Sequence, residues 1–172
     1  MKALLLLDAQ VNMFEGGVHA GGGSDALLRT LRSLLQAARA AGAPVIHVQH
    51  CGGPGEVDEP GKPGWHLHPE LEPAPGEVVV QKHKPDAFHM TPLARKLEEL
   101  GVTELVIAGM QTEMCIDATV RRAAGLGLRV TLVQDAHGTF DNATMQAADV
   151  IRSHNQALAG CAQLASAGDI GF

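Results

Sequence analysis

Three residue types that can carry out acyl chemistry follow predicted strands in this sequence. Asp8, Lys82 and Cys115 supply a carboxylate, an amine and a thiol, and each comes after a short run of aliphatic and β-branched residues. Such runs are typical of buried strands. Because parallel strands end at the same edge of a sheet, where α/β folds bind their ligands, we expect the three side chains to meet.

Cys115 lies at the transition from a predicted strand, 104–108, to a predicted helix, 117–124. Unpaired N–H groups and the positive end of the helix dipole favour a thiolate there, so we expect a lowered pKa for Cys115. The same N–H groups could hold the oxyanion formed when a thiolate attacks a carbonyl. On this stretch alone, a buried, inert cysteine that fills the turn is an equal alternative.

Together the three residues have the chemistry of a nucleophilic triad. Cys115 would attack a carbonyl carbon, and Asp8 would take the thiol proton and later deliver it to a departing amine. Lys82 would keep Asp8 ionised and stabilise the thiolate by its charge. Singly, a turn-capping Asp8 and a solvent-exposed Lys82 are simpler explanations. Their joint occurrence at three strand ends favours catalysis.

Predicted strands and helices alternate along the whole chain. The strands are predicted at 3–7, 44–49, 78–81, 104–108, 129–134 and 163–166, and the helices at 25–41, 92–100, 117–124 and 143–160. Ser24, Thr91 and Asn142 are the predicted N-terminal caps of three of these helices, and His19–Gly23 is a predicted turn. Parallel strands need crossover connections, which these helices supply. We therefore predict one domain over 1–172, a three-layer α/β/α sandwich with a mostly parallel, six-stranded, Rossmann-like sheet.

A long connection over 50–76 is rich in glycine and proline and has neither a helix nor a strand pattern. A loop of this length in a compact domain is usually functional or disordered. It carries Trp65, the only tryptophan of the chain. We expect this loop to be a lid or a pocket wall, with simple anchoring of the loop to the core as the alternative.

Composition excludes several classes of partner. The sequence has 172 residues, a formal net charge of −6 and three cysteines. No basic cluster is present, which argues against nucleic acid or an anionic membrane as a partner, and no apolar run approaches membrane-spanning length. The apolar run 3–7 is too short for a signal peptide. An odd cysteine count without a C-x-x-C pair argues against a disulfide framework, so a cytoplasmic location fits best.

Four short motifs, in this order and spacing, resemble those of the isochorismatase-like cysteine hydrolases, a superfamily that includes the nicotinamidases. They are DAQVNMF at 8–14, KHKPDAFHMTPL at 82–93, GMQTEMCI at 109–116 and DA at 135–136. The resemblance covers nearly the whole chain. It implies that Asp8, Lys82 and Cys115 form a catalytic triad. It also implies a cis peptide bond before Gln111, which would aim the N–H groups of Gln111 and Cys115 as an oxyanion hole, and a homo-oligomer that is a dimer or larger.

Departures from these relatives narrow the expected activity. Nicotinamidases carry an Asp-x-His metal motif after the second strand, where this sequence reads HVQHC at 47–51. His47 and His50 would point to opposite faces of a regular strand. True isochorismatases typically lack the cysteine, so Cys115 favours acyl chemistry. The loop 61–71 and the SHN sequence at 153–155 resemble a metal-free subgroup of general cysteine hydrolases, and in one branch the substrate is a lactam antibiotic.

We therefore predict a hydrolase that cleaves a C–N bond of a small amide or lactam through a thioester on Cys115, without a metal or other cofactor. Gln10, Phe14 and Trp65 are expected to form the wall of the substrate pocket. One alternative is a catalytically inactive scaffold that binds a small ligand or a partner. The others are a redox sensor that pairs Cys115 with Cys51, and a metal-dependent, nicotinamidase-like amidase.

Overall fold

The computed structural model describes residues 1–14 and 23–172, so the turn predicted at His19–Gly23 lies, except for Gly23, outside the described residues. The strands are β1 Lys2–Leu7, β2 Val45–His50, β3 Val78–Lys82, β4 Glu104–Met110, β5 Arg129–Gly138 and β6 Gln163–Ala165. The helices are α1 Val11–Phe14, α2 Ser24–Ala40, α3 Leu93–Glu99, α4 Asp117–Gly125 and α5 Ala147–Leu158. A π-helical turn, Thr112–Ile116, joins β4 to α4.

The six strands form one sheet in the order β3-β2-β1-β4-β5-β6, and each pair of neighbouring strands is parallel. β1 lies in the middle, with Leu7 opposite Val48 of β2 on one side and Gly109 of β4 on the other. Strand order reverses direction at β1, the position where sheets of this kind form a crevice at their carboxyl edge. The predicted three-layer α/β/α fold is confirmed, and the sheet is wholly parallel.

Alternate residues of the strands build two aliphatic cores, one on each face of the sheet. Leu5 and Leu7 pack under α3 and α4, and Leu4 and Leu6 pack under α2. All four leucines are at most 1% exposed, which is the pattern of a strand buried on both faces. No helix in the described ranges is both long and apolar enough to cross a membrane.

The connection between β2 and β3 is ordered against the carboxyl end of β1. It contains two short 3-10 helices, Pro63–Trp65 and Pro69–Leu71, and Leu71 is fully buried. Backbone bonds join Val11 N to His66 O at 2.9 Å and His68 N to Ala9 O at 2.9 Å. The long loop therefore forms a fixed wall beside α1.

Three predicted boundaries need correction. Ser24 is the first residue of α2 and not its N-terminal cap. Gly23, with a φ of 86°, occupies the cap position. Asn142 does not cap α5; its Oδ1 accepts the N–H groups of Thr144 and Met145 in a turn, and the helix begins at Ala147. β5 continues past its predicted end to Gly138, because pairing with β4 resumes after a register shift.

Candidate active site

Asp8, Lys82 and Cys115 meet at the carboxyl edge of the sheet. The Nζ of Lys82 lies 2.9 Å from Asp8 Oδ2 and 3.1 Å from Cys115 Sγ. Asp8 and Lys82 are 0% and 1% exposed and Cys115 is 8% exposed. One ammonium group thus joins the carboxylate and the thiol in a nearly dry site, where electrostatic interactions are strong.

The backbone directs Asp8 toward this site by leaving the regular strand. Asp8 follows β1 with a φ of 48°, and its N–H donates to Val48 O at 2.9 Å. Lys82 Nζ forms an ion pair with Asp8 Oδ2, but its direction is not that of a hydrogen bond. Among the described residues, neither carboxylate oxygen of Asp8 has a hydrogen-bond partner. The carboxylate oxygens therefore keep open positions for a hydrogen-bond donor.

The expected lowered pKa of Cys115 is wrong. Burial and the neighbouring Asp8 carboxylate raise the pKa of Cys115 to about 12, and the opposing charge of Lys82 does not offset them. Cys115 lies inside the π-helical turn and not at the first residue of α4, so it is not at the helix start that the sequence predicted. With its pKa raised this far, Cys115 is a thiol at neutral pH.

Lys82 stays charged in spite of its burial. Desolvation alone would lower its pKa, but the charges of Asp8 and Cys115, with the hydrogen bond to Cys115, raise it above the ordinary lysine value. An ammonium group held between two acidic groups cannot act as a base. It can hold the carboxylate and the sulfur in a fixed relation to each other.

The turn that carries Cys115 begins with an unusual peptide bond. The bond between Met110 and Gln111 is cis, at the position where the family resemblance predicts one. Gln111 O accepts the N–H groups of Met114 and Ile116, at 3.2 and 3.1 Å, which closes the π-helical turn. The N–H of Gln111 has no acceptor within the described part of the chain.

The expected substrate contact of Gln10 needs correction. Gln10 is fully buried, and its Nε2 donates to the backbone carbonyls of His50 and Trp65, at 3.0 and 2.9 Å. Its Oε1 accepts the His50 N–H at 2.7 Å. Because both amide hydrogens and the oxygen are engaged by backbone groups, Gln10 holds the loop against β2 instead of facing a substrate.

Trp65 and Phe14 lie on the same side of the molecule as the ordered loop. The indole N–H of Trp65 donates to Cys51 Sγ at 3.3 Å, which fixes the ring against the end of β2. Phe14 contacts His68 edge to face, with ring centroids 4.9 Å apart, and borders a cavity of about 330 Å³. The described walls of that cavity include no residue of the triad. The pocket-wall roles of Trp65 and Phe14 stay predictions.

The histidines after the second strand have separate partners. His47 Nε2 lies 2.9 Å from Glu77 Oε2, and His50 Nδ1 lies 2.7 Å from Asp58 Oδ2. They do not converge, as the strand geometry predicts. In residues 1–14 and 23–172, no group of three or more His, Cys, Asp or Glu side chains is arranged to hold a metal ion.

The sequence reasoning missed a buried histidine beside the π-helical turn that carries Cys115. His137 of β5 is 0% exposed, and its Nδ1 lies 2.9 Å from Thr112 Oγ1. Its Nε2 lies 2.9 Å from Asn155 Oδ1. Two features of the sequence could have indicated this contact. The DA motif lies directly before His137, and the SHN sequence contains Asn155.

Comparisons with known proteins identify the family and the relatives of this chain. Residues 2–165 match the family described as Isochorismatase domain. The chain is 49% identical over 141 residues to a streptothricin hydrolase of Streptomyces noursei, a match covering 82% of this chain and 56% of that protein. It is 40% identical over 151 residues to the isochorismatase family protein YddQ of Bacillus subtilis strain 168, with 87% and 82% covered.

A solved structure, an isochorismatase from Pseudomonas putida KT2440, superposes with a TM-score of 0.93 at 34% identity, over 98% of this chain and 89% of that chain. The chain spans about half the length of the streptothricin hydrolases that it matches. The family match extends over nearly every strand and helix described above. The chain therefore belongs to the Isochorismatase domain family.

Proposed function

We propose that this protein hydrolyses a C–N bond of a small amide or lactam, with Cys115 as nucleophile. The observation that carries the proposal is the position of Lys82 Nζ, within 3.1 Å of both Asp8 Oδ2 and Cys115 Sγ in a buried site. A buried acid, ammonium and thiol in contact are costly for folding unless each is compensated by the others. Their chemistry matches an activated nucleophile with its general acid–base.

The first step is proton transfer within the triad. The Cys115 thiol gives its proton to Asp8 as the sulfur attacks the substrate carbonyl, so a C–S bond forms and the carbonyl π electrons move to oxygen. Before the transfer the single anion beside the ammonium of Lys82 is the Asp8 carboxylate, and afterwards it is the oxygen of the substrate, so the number of anions in the site does not change. In a buried site, this avoids the energy of creating a second unpaired anion.

The oxyanion of the tetrahedral intermediate needs hydrogen-bond donors. The N–H groups of Gln111 and Cys115 are the proposed donors, and the lack of another acceptor for the Gln111 N–H supports its role. Donors that are fixed before the reaction stabilise the developing charge without reorganisation. The short, closed turn between β4 and α4 supplies that fixed geometry.

The intermediate then collapses and is hydrolysed. The C–N bond breaks, and Asp8 returns its proton to the departing nitrogen, which leaves a thioester on Cys115. A water molecule attacks the thioester and gives a proton to Asp8. The C–S bond breaks, and Cys115 recovers a proton from Asp8. This cycle consumes one water and needs no co-reactant.

The proposed substrate class follows from the chemistry of a cysteine nucleophile and from similarity to the relatives described above. The relative of greatest identity described above is named streptothricin hydrolase, and the family resemblance includes a branch that acts on a lactam antibiotic. A cyclic amide attacked by Cys115 would open, and its nitrogen would stay attached to the acyl group until water releases the enzyme. We therefore place streptothricin and simpler lactams first among candidate substrates, with linear amides next.

The test is an assay of the wild-type protein and of Cys115→Ala with streptothricin, simple lactams, linear amides and hydroxamates. Amine release and a product heavier by one water are the readouts. We expect hydrolysis by the wild type and none by the variant, with unchanged melting curves. Hydrolysis by the Cys115→Ala protein, or its absence with every compound for the wild type, would overturn the proposal.

A further inference from the structure

His137 connects the catalytic turn to helix α5. Its ring is fully buried, and both ring nitrogens lie within hydrogen-bond distance of a side chain, Thr112 on one side and Asn155 on the other. Asn155 Nδ2 in turn lies 3.1 Å from Gln134 O. These contacts form a continuous chain of hydrogen bonds from the backbone of β5 to the turn before Cys115.

The direction of each hydrogen bond in this chain is determined. Gln134 O can only accept, so the amide nitrogen of Asn155 faces it and the amide oxygen faces His137. That oxygen can also only accept, so Nε2 of His137 must carry a hydrogen. In a neutral ring Nδ1 then has none, and the Thr112 hydroxyl must donate to it.

The ring is neutral in the folded protein. Burial lowers the pKa of His137, an effect that outweighs the hydrogen bond that its ring donates to Asn155 Oδ1. The charged neighbours are few and opposed, since His154 lowers this pKa further and Asp135 raises it. Arg152 borders the same cavity as His137, and its guanidinium is paired with Asp149. A neutral ring with one fixed tautomer can hold a hydroxyl donor in a single orientation.

Thr112 is the point at which this chain meets the catalytic machinery. It is fully buried, it is the first residue of the π-helical turn, and it directly follows Gln111. It lies in the chain between the two N–H groups proposed as the oxyanion hole. The hydrogen bond to His137 ties this position of the turn to β5, because a shift of the turn that left the buried Nδ1 without a donor would be costly.

We propose that His137 and Asn155 are positioning residues that fix the turn carrying Cys115 through the Thr112 hydroxyl, an inference that rests on the function proposed above. Neither residue need contact the substrate. Loss of the hydroxyl should lower kcat and leave KM nearly unchanged, since the attack geometry is altered and the pocket is not. A displacement of about 1 Å at a reacting group costs on the order of 100-fold in rate.

The test compares Thr112→Val, which keeps the shape and removes the hydroxyl, with Thr112→Ser, which keeps the hydroxyl. We expect kcat to fall about 10- to 100-fold in Thr112→Val and to be largely retained in Thr112→Ser. Gln156→Ala, an exposed change on α5, is the matched control and should behave as the wild type. Equal kcat in Thr112→Val and the wild type, or equal loss in both Thr112 variants, would overturn the inference.

A second measurement does not depend on turnover or on the folding of a Thr112 variant. In wild-type protein with ¹⁵N-labelled histidine, His137 should show a protonated Nε2 and an unprotonated Nδ1, and Asn155→Ala should weaken that preference. A wild-type ring protonated at Nδ1 would contradict the inference, whatever the amide assays show. Conversely, the expected tautomer in a protein that hydrolyses no amide would reject the proposed function and leave the hydrogen-bond chain intact.

Discussion

Two polar clusters lie at opposite ends of the sheet, one buried and one half-buried, and their carboxylates have different hydrogen-bond partners. At the carboxyl edge, the carboxylate of Asp8 interacts only with Lys82 and the thiol of Cys115 among the described residues. At the amino edge, Glu77 accepts two hydrogen bonds from Arg39, at 2.7 and 2.8 Å, one from the N–H of Ala74 at 2.8 Å, and contacts His47 at 2.9 Å.

The difference decides which cluster can do chemistry. Burial alone would raise the pKa of Glu77, but the hydrogen bonds from Arg39, Ala74 and His47 together lower it to about 2. Such an anion is a poor proton acceptor and serves to tie α2 to β3. Asp8 lacks these hydrogen bonds, so its oxygens keep open positions for the hydrogen bond through which a general base takes a proton.

The largest expected effect comes from the carboxylate at the carboxyl edge. Asp8→Asn should lower kcat by about 10² to 10⁴, because a carboxamide cannot take the thiol proton. Glu77→Gln, the same chemical change in the other cluster, should leave kcat unchanged. Steady-state assays on the best substrate of the panel check both. Similar kcat values for the two variants would remove the functional distinction between the clusters.

Removal of the cation of the triad should affect both activity and folding. In Lys82→Met, the pKa of Cys115 should rise further and acylation should slow, because the charge that favours the thiolate is lost. Asp8 would become an unpaired buried charge, and the free energy of unfolding should fall by about 3–5 kcal/mol. Lys84→Met, on an exposed residue two positions on, is the control. Equal denaturation midpoints and rates for both variants would exclude Lys82 from the triad.

A change in the cluster at the amino edge should alter the free energy of unfolding and not the activity. The folded-state pKa of Glu77 is about 2, below its ordinary 4.5, so its contribution is present above about pH 4.5 and is lost as the pH falls toward 2. Glu77→Gln should therefore lower the free energy of unfolding by about 2 kcal/mol at neutral pH, with a smaller difference in acid. Urea titrations at several pH values measure this, with Glu98→Gln as the exposed control. A difference independent of pH would argue against an ionised Glu77.

The smallest expected effect is that of a chelator. The thiol supplies the nucleophile and backbone N–H groups can supply the oxyanion hole, so a Lewis acid would duplicate existing functions. We expect full activity after dialysis against a strong chelator, with metal loss verified by elemental analysis. Activity that disappears and returns with zinc, iron or manganese would revive the metal-dependent alternative.

The sequence was sufficient for the positions of the strands and of the triad, for identifiable reasons. Continuous aliphatic runs are specific to buried strands, and in a parallel sheet their ends share an edge, so the approach of Asp8 to Lys82 follows from topology. The pKa of Cys115 does not follow from topology. Its direction depends on how much water is excluded from the site and on the distance to Asp8, and both arise only when the chain is packed.

The contacts of Gln10 and His137 also could not be predicted from the sequence, because their partners are distant in the chain. Gln10 carries a motif position, but its partners are carbonyls of His50 and Trp65, brought to it by the folded loop. His137 contacts Thr112 only because β5 runs past its predicted end beside β4. The cytoplasmic location and the homo-oligomer stay predictions.

The most direct test of the account is the titration of Cys115 in the wild type and in Asp8→Asn. In protein with ¹³Cβ-labelled cysteine, the chemical shift of Cys115, assigned by its loss in Cys115→Ala, reports thiol or thiolate at each pH. We expect a thiol throughout the neutral range in the wild type and a midpoint at lower pH in Asp8→Asn, because the carboxylate raises the pKa of Cys115. A wild-type thiolate at neutral pH, or a midpoint unchanged or raised in Asp8→Asn, would rule out proton transfer from a resting Cys115 thiol to Asp8.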